Sequence, residues 1–427
     1  MTRLSPTRFQ VHTTPSGLPD RPLKICLLGY RSNPHCGGQG VYLKNLSRAL
    51  KSIGHSVTVI SGPPYPLLSP DIPLHRLPSL DLYNPAHLFR VPSLKELAIP
   101  VNFMEWAGVS TMGFPEPFTF GIRAWQFMRH RINAFDIVHD NQSLSYGINA
   151  IARRMPTIAT IHHPITVDRR IAVRAAATCL GKLKQLRWFS FIGMQKRVAR
   201  KLKRIITVSE CSKKDIAREF RIPENRFQVI PNGIDTDLFH PIAGISREPF
   251  RIITTHSSDV PLKGLHYLLC AVAEVSRARP VHLSVVGTPG KAITRLIRDL
   301  GIERHVTFTG RITDAEFVRH YAAASMAVVP SVYEGFGLPA GEAMACGVPV
   351  ISTTGGALPE VVGDAGLLVP PKDAGALAAA ITRLLDHPEY ASALGQKGYE
   401  RVHHQFTWTR AAEKTIAAYG EALCDYR

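Results

Sequence analysis

The sequence predicts an α/β protein of two domains, each with a parallel sheet covered by helices on both faces. The chain has 427 residues, whereas single domains usually contain roughly 100–200. Short apolar strands alternate with amphipathic helical segments in both halves, as expected of parallel sheets. A stretch rich in turn residues, 231–248, interrupts this alternation and marks the junction between the domains.

The N-terminal half begins with a strand, a glycine loop, a helix and a second strand. The first strand covers Lys24–Gly29, the loop ends in Gly37-Gly38-Gln39-Gly40, and the second strand covers His55–Ile60. This order is a βαβ unit, in which the two strands lie parallel. Further strands are predicted at 135–139, 157–162, 204–209 and 227–230.

The same alternation restarts in the C-terminal half. Strands are predicted at 251–256, 281–287, 305–310, 326–331 and 349–354, and helices at 262–279, 291–301, 313–324 and 338–346. Both halves are therefore Rossmann-like, and such sheets bind ligands beyond the carboxyl ends of their strands. We expect a flexible tail at 1–22, an N-terminal domain at 23–240 and a C-terminal domain at 250–407, with the two domains facing a cleft.

Composition excludes several classes of protein. The seven cysteines form no CxxC pair, which favours free thiols in a reducing compartment over disulfides or a zinc site. The sequence has neither a secretory signal nor an apolar run of about 18 residues, so we expect a cytoplasmic protein without a transmembrane helix. The net charge of +18 implies acidic partners, namely phosphates, an anionic membrane or nucleic acid.

The glycine loop before the first helix is a candidate anion site. Glycines allow a close approach of the backbone, and the N-terminus of a helix favours a negative charge. The spacing of Gly37, Gly38 and Gly40 is not GxGxxG, and no acidic ribose ligand follows at the expected distance. A dinucleotide site is therefore disfavoured, and a plain turn remains the alternative to an anion site.

The segment 331–343 carries the strongest functional pattern. Glu334 lies in a loop that follows an apolar strand, and Glu342 lies within the next helix, with Gly335 and Gly337 between them. A carboxylate can accept hydrogen bonds from two hydroxyls, which suits a sugar or a ribose diol. A carboxylate that only balances the helix dipole would explain one glutamate but not the intervening glycines.

This segment resembles the E-x7-E motif of retaining GT-B glycosyltransferases of the family 4 type (glycosyl transferases group 1). The resemblance covers nearly the whole folded chain, because other motifs of the family occur in the same order. They are the glycine loop 37–40, the segment 229–235 with Phe239, Lys263-Gly264, the run 355–360 and the run 366–369.

The resemblance implies transfer of a sugar from a nucleotide sugar to an acceptor hydroxyl, with retention of anomeric configuration and without a metal. Glu342 would hold the ribose, Lys263 the diphosphate, and Glu334 the sugar near its reacting carbon. The implied catalytic residues are Glu334, His162 and Lys263. The donor-binding residues are Gly37, Gly38, Lys263, Arg311, Glu334, Gly335, Phe336, Gly337, Leu338 and Glu342.

Two details of this assignment stay open at the sequence level. The family places a histidine near the sugar, and either His162 or the adjacent His163 fits that position. Asp235-Thr236-Asp237 reads as the DxD motif of metal-dependent enzymes, although two aspartates in a turn-rich segment more often cap the turn. The resemblance implies no cofactor and no metal, and the nucleotide sugar is a substrate.

One departure from the family concerns the diphosphate. An arginine usually precedes the lysine, but the segment 254–262 contains none. Because a departing nucleoside diphosphate needs positive charge or hydrogen-bond donors, Lys263, His256, Arg311 or backbone near Gly355 must supply them. The alternatives are a binding-only or weakly active relative, or an enzyme similar to a sugar-nucleotide epimerase.

Two segments suggest further contacts. Residues 169–204 contain twelve Lys and Arg and no Asp or Glu, which is typical of a peripheral contact with an anionic membrane, of a solvated helix, or of a basic surface near the acceptor site. The sequence does not identify the acceptor, and the resemblance suggests a lipid-linked molecule or a small molecule. No nucleic-acid-binding signature occurs, so nucleic acid is not expected as a partner. The helix predicted at 408–427 resembles the family helix that crosses back onto the N-terminal domain.

Overall fold

The computed structural model describes residues 18–33, 38–84, 87, 90–256 and 261–426. Its first sheet has seven parallel strands in the order β3-β2-β1-β4-β5-β6-β7. The strands are β1 (Lys24–Gly29), β2 (Ser56–Ser61), β3 (Leu74–Arg76), β4 (Ile137–Asn141), β5 (Thr157–Ile161), β6 (Ile205–Thr207) and β7 (Phe227–Val229).

Nine α-helices accompany this sheet in the described part of the N-terminal half. They are α1 (Gly38–Ser52), α2 (Leu94–Leu97), α3 (Pro100–Ser110), α4 (Glu116–Met128), α5 (Tyr146–Ala152), α6 (Thr166–Ala175), α7 (Cys179–Trp188), α8 (Ile192–Ala199) and α9 (Glu210–Phe220). Helices α2 to α4 follow β3, and α6 to α8 follow β5, so both groups extend from the carboxyl side of the sheet.

The second sheet has six parallel strands in the order β10-β9-β8-β11-β12-β13. They are β8 (Glu248–His256), β9 (His282–Gly287), β10 (Val306–Phe308), β11 (Ala324–Val329), β12 (Val350–Thr353) and β13 (Leu367–Val369). The helices are α10 (Leu265–Val275), α11 (Lys291–Leu300), α12 (Asp314–Ala323), α13 (Leu338–Ala345), α14 (Leu358–Val362), α15 (Ala374–Asp386), α16 (Pro388–Gln405) and α17 (Trp408–Tyr426).

Both sheets have the strand order of a Rossmann fold, in which the first strand lies at the centre and the order reverses beside it. The central strands are buried on both faces, which explains their nearly continuous apolar sequences. The predicted strands are confirmed to within a few residues. The edge strands β3 and β13, of three residues each, were not predicted.

The last helix, α17, packs on the first sheet although it follows the second domain in sequence. Trp408, Ala412 and Tyr419 share a buried cluster with residues of β1 and α1, including Leu27. The hydroxyl of Tyr419 lies 2.7 Å from Nδ1 of His139 in β4. The chain thus returns to its first domain at its end.

The last residues of the tail predicted at 1–22 contact the first domain. Leu18 packs against the first hydrophobic core, and Arg21 pairs with Asp136 at 2.6 Å. Residues 1–17 lie outside the described residues. Among the helices of the described ranges, none is long and apolar enough to cross a membrane, and no disulfide links the cysteines described there.

Candidate active site

Glu334 and Lys263 form an ion pair at the carboxyl edge of the second sheet. Glu334 lies between β11 and α13, and Lys263 lies between β8 and α10. Oε1 of Glu334 accepts hydrogen bonds from Lys263 Nζ at 2.8 Å and from Ser331 Oγ at 2.7 Å. Because the side chains are 14% and 27% exposed, the pair is shielded from water yet open to a ligand.

Two glycines allow this close packing. Gly264 and Gly356 both have φ of 67°, a left-handed conformation that favours glycine. A Cβ at Gly356 would overlap the carbonyl oxygen of Glu334, and a Cβ at Gly264 would overlap that of Pro330. The Lys-Gly and Gly-Gly motifs therefore place the backbone around Glu334, whose carbonyl accepts a hydrogen bond from the N–H of Ala357 at 2.9 Å.

Glu342, in the second turn of α13, differs from Glu334 in having no polar partner. Within the described residues, no hydrogen bond or ion pair involves its carboxyl group. Burial, with a smaller contribution from the charge of Asp314, raises the pKa of Glu342 to about 7. A half-buried carboxyl group without a protein partner is suited to hydroxyl donors of a ligand.

Helix α1, which follows the glycine loop of the first domain, begins opposite the segment 331–343. Helix α1 begins at Gly38, and a Cβ at Gly38 would lie 4.0 Å from Cδ1 of Leu338, the first residue of α13. The N-termini of the two helices therefore meet at the cleft, and both favour negative charge. Gly37 lies outside the described residues.

His162 and His163 follow β5 and have different surroundings. Nε2 of His162 lies 2.7 Å from Oδ1 of Asn141, its ring contacts Tyr42 edge-on, and burial lowers its pKa to about 3. Nε2 of His163 lies 2.7 Å from Oδ2 of Asp168.

The charges around His163 link it to the ion pair. Burial alone would lower the pKa of His163, but the hydrogen bond and charge of Asp168, aided by the charge of Glu334, raise it. His162 is therefore a neutral imidazole, whereas His163 holds a proton more readily. Both flank the loop of Gly335, because a Cβ there would lie 3.0 Å from Cβ of His163 and would overlap the carbonyl of His162.

The other predicted donor residues divide into backbone and side-chain positions. Phe336 is buried and contacts Phe406, with ring centroids 5.7 Å apart, so only its backbone can reach a ligand. Gly337 has φ of 103° and precedes α13. Arg311 is exposed after β10, and no hydrogen bond or ion pair joins it to the described residues of the site.

The aspartates of the DxD sequence have another partner. Asp235 Oδ1 lies 2.9 Å from the guanidinium of Arg48 in α1, and Asp237 Oδ2 lies 3.7 Å from it. These aspartates therefore join α1 to the inter-domain segment. In the described part of the chain, no group of three or more His, Cys, Asp or Glu is arranged to hold a metal.

Sequence reasoning missed several groups that shape the site. Ser331 binds Glu334, Asp168 binds His163, and Glu360 contacts the N-terminus of α9. Ser331 was detectable as a polar residue at a strand end, and Glu360 belongs to a motif that matched the family. Asp168 belongs to no motif that the sequence displays.

Comparisons with known proteins agree with this geometry. A family model described as Glycosyltransferase Family 4 matches residues 36–238, and one described as Glycosyl transferases group 1 matches residues 250–387. An MMP α-(1→4)-mannosyltransferase from Mycolicibacterium hassiacum is 45% identical over 408 residues, which cover 94% of this chain and 98% of that relative. The chain belongs to the family 4 type of glycosyltransferase. The predicted family is thus confirmed.

Further relatives support the same assignment. A D-inositol 3-phosphate glycosyltransferase from Mycolicibacterium smegmatis is 30% identical, over 70% of each chain. A sucrose-phosphate synthase structure from Thermosynechococcus elongatus has a TM-score of 0.71 and 26% identity, and covers 94% of this glycosyltransferase and 100% of the synthase. The Anabaena HepE structure with UDP and glucose has a TM-score of 0.68 at 18% identity, covers 93% and 100% of the two chains, and shows the shared fold. The predicted GT-B architecture is confirmed.

Proposed function

We propose that this glycosyltransferase transfers a mannosyl group from a nucleotide sugar to a saccharide hydroxyl, forms an α-(1→4) linkage and retains the anomeric configuration. The observation that carries sugar transfer is the Glu334–Lys263 pair on one domain, opposite Gly38 and the histidines on the other. The sugar and the linkage are inferred from the relative that is 45% identical over nearly its whole length.

The proposed reaction exchanges one bond at the anomeric carbon for another. The bond between that carbon and the β-phosphate oxygen breaks, and a bond to the acceptor oxygen forms on the same face of the sugar. The acceptor's proton passes to the departing phosphate oxygen. No enzyme nucleophile is required, and Glu334 is already bound by Lys263 and Ser331.

Charge stabilisation of the leaving group falls to Lys263 and the two helix N-termini. Lys263 has a flexible side chain and can turn from Glu334 towards a phosphate when the donor enters. The N–H groups at the start of α1 and α13 add fixed partial charges. We propose a reaction without metal, supported by the pairing of Asp235 and Asp237 with Arg48.

Glu342 is proposed to bind the ribose of the donor. Its carboxyl group has no partner in the described residues and lies in the second turn of the helix that follows the loop that would hold the sugar. The backbone of Gly335, Phe336 and Gly337 would then hold the sugar hydroxyls. This division places both ends of the donor along one short segment.

Nucleotide binding and turnover together test the proposal. The midpoint of thermal unfolding would be measured with GDP, UDP and ADP, each at about one hundred times its dissociation constant, where a true ligand adds about 2.7 kcal/mol. The mannose forms of the three nucleotides would then be incubated with and without oligosaccharide acceptors. Transfer from one of them supports the proposal. Binding without turnover favours a binding-only relative, and conversion without an acceptor favours epimerase-like chemistry.

We also propose that α7 makes a peripheral contact with an anionic membrane. Leu180, Leu183 and Leu186 recur every three residues on α7 and are 61%, 63% and 49% exposed. They lie within the stretch 169–204 that has twelve basic and no acidic residues. Exposed apolar side chains surrounded by basic ones bind anionic lipid surfaces.

Vesicle sedimentation tests this contact. The protein should bind phosphatidylglycerol vesicles more strongly than phosphatidylcholine vesicles, and salt should weaken the binding. Leu183→Ser should reduce binding, whereas Leu67→Ser, at an equally exposed leucine outside this stretch, should not. Equal binding by both variants would contradict the contact, as would equal binding to both lipids.

A further inference from the structure

Glu360, on α14 of the second domain, binds the N-terminus of a helix in the first domain. Its Oε2 accepts a hydrogen bond from the N–H of Glu210 at 2.8 Å, and its Oε1 accepts one from the N–H of Cys211 at 2.7 Å. These N–H groups lie in the first turn of α9, where a helix has no internal acceptors. A carboxylate there gains from two charge-assisted hydrogen bonds and from the helix dipole.

The N-terminal end of α9 also forms hydrogen bonds with the loop that carries Glu334. Ser209 Oγ and Ser212 Oγ lie 2.8 and 3.1 Å from the carbonyl oxygen of Gly335. The hydroxyl of Tyr333 donates to Asp215 Oδ2, 3.0 Å away in the next turn. Both neighbours of Glu334 in sequence are therefore fixed by the first domain, although Glu334 belongs to the second.

The second domain holds Glu334 from the other side. The N–H of Ala357 donates to the carbonyl oxygen of Glu334 at 2.9 Å, and Ala357 lies one helical turn before Glu360. The segments 333–335 and 357–360 are thus joined to each other and to α9. Any separation of the domains must break the bonds to Glu360 and to Gly335 together.

We propose that Glu360 and the first turn of α9 form a latch between the domains that positions Glu334 for sugar transfer. Glu360 is a positioning residue, since it contacts neither the ion pair nor the predicted donor residues directly. The inference rests on the proposed function in one respect only, namely that Glu334 acts on the donor sugar. The latch itself depends on contacts between the two domains.

Amide hydrogen exchange measures the latch independently of activity. The amides of Glu210 and Cys211 have their hydrogen bonds to Glu360, so exchange in the peptide 208–214 should be slow in the wild-type protein. Glu360→Gln keeps the side-chain length but presents an NH2 group to one of the two donors, and exchange should rise at least about tenfold. Glu389→Gln, at an exposed carboxylate in the first turn of α16, is the matched control and should leave exchange unchanged.

Kinetics then separate positioning from folding. Glu360→Gln should lower kcat about tenfold or more while the KM for the donor changes less than about threefold, because the latch contacts protein groups and not the ligand. Ser212→Ala should have a smaller effect, since Ser209 still donates to Gly335. The two changes together should cost less than the sum of each, because both act on one opening.

Each readout can fail separately. If exchange at 208–214 is the same in Glu360→Gln and wild type, the latch is wrong. If exchange rises but kcat equals that of the wild type, the latch exists but does not position Glu334, which also overturns the proposal. If the wild-type protein transfers no sugar from any nucleotide mannose, the proposed function fails, while the exchange result still stands.

Discussion

The two walls of the cleft are built in different ways. The donor-side wall (residues 263–264, 330–342 and 355–360) consists of short loops in which glycines bring backbone and side chains into contact, and Glu334 has two partners. We propose that the acceptor-side wall is formed by helices of the first domain (α3, α4, α5, α7 and α8). These helices line an open groove of about 280 Å³ with mainly apolar lining, including Phe114, Phe118, Tyr146 and Phe191.

We propose that this difference determines how each wall recognises its ligand. Backbone geometry defines the donor-side wall, so the residue types at its glycine positions are restricted. Side chains on helices inserted after β3 and β5 define the acceptor-side wall, and many apolar side chains can fill such a groove. Donor recognition should therefore respond sharply to single changes, and acceptor recognition more gradually.

Glu334→Gln should have the largest effect. The change removes the negative charge that binds Lys263 and that we propose faces the reacting sugar, and loss of one such group costs about a hundred- to a thousandfold in kcat. The rate of transfer and the midpoint of thermal unfolding would be measured together. A variant with full activity would contradict the role of Glu334, because the donor-side wall would then not need this carboxylate for transfer.

Lys263→Met should have the next largest effect. It leaves the half-buried carboxylate of Glu334 without its ion-pair partner and removes a charge from the leaving group, so kcat/KM for the donor should fall about ten- to a hundredfold. Lys291→Met, at an exposed lysine of α11, is the control. An equal loss in both variants would show that general surface charge, and not the pair, attracts the donor.

Glu342→Gln should mainly affect nucleotide binding and its dependence on pH. Because ribose hydroxyls donate best to an anion and the pKa of Glu342 is raised to about 7, wild-type affinity for the nucleotide should increase more between pH 6 and 8 than that of the variant. At pH 8 the variant should bind about tenfold more weakly. Calorimetric titration of both proteins checks this, and parallel pH profiles would contradict the role of Glu342.

Thermal unfolding gives the same group a second test. The pKa of Glu342 is raised in the folded protein, from the ordinary 4.5 of a glutamate to about 7. As the pH rises, this carboxyl group therefore loses its proton in the unfolded chain before it does so in the folded protein. The stabilising contribution is complete below about pH 4.5 and disappears as the pH passes 7. Glu342→Gln should thus gain stability relative to the wild type between pH 5 and pH 8.

Tyr146→Ala should have the smallest effect and tests the acceptor-side wall. Tyr146 is 43% exposed at the groove, and an aromatic contact contributes about 1 kcal/mol, so the KM for the acceptor should rise about fivefold. Nucleotide affinity should not change. If the KM for the acceptor is unaffected, the groove does not bind the acceptor, which would contradict its assignment to the acceptor-side wall.

The sequence predicted the donor-side wall far better than the acceptor-side wall, for a physical reason. Gly264 and Gly356 leave no room for a Cβ, so they occur as motifs that a single sequence displays. The groove residues follow no spacing rule. Likewise, the bond between Glu360 and α9 joins residues about 150 positions apart, and no local pattern indicates such a contact.

Burial also separated residues that were alike in sequence. Glu334 and Glu342 were both predicted as ligand-binding carboxylates, yet Glu334 is bound by Lys263 and Ser331, whereas burial raises the pKa of Glu342 to about 7. His162 and His163 are adjacent, yet their pKa values shift in opposite directions because only His163 lies beside Asp168. These environments depend on neighbours that the fold brings together.

The central claim is retaining transfer of mannose at this cleft, and the configuration of the product tests it most directly. The protein would be incubated with an α-linked nucleotide mannose and an oligosaccharide acceptor, and the new linkage examined by NMR, with Glu334→Gln in parallel. The wild-type protein should form an α-(1→4) linkage, and the variant should form almost none. A β linkage, or equal product from the variant, would contradict this claim.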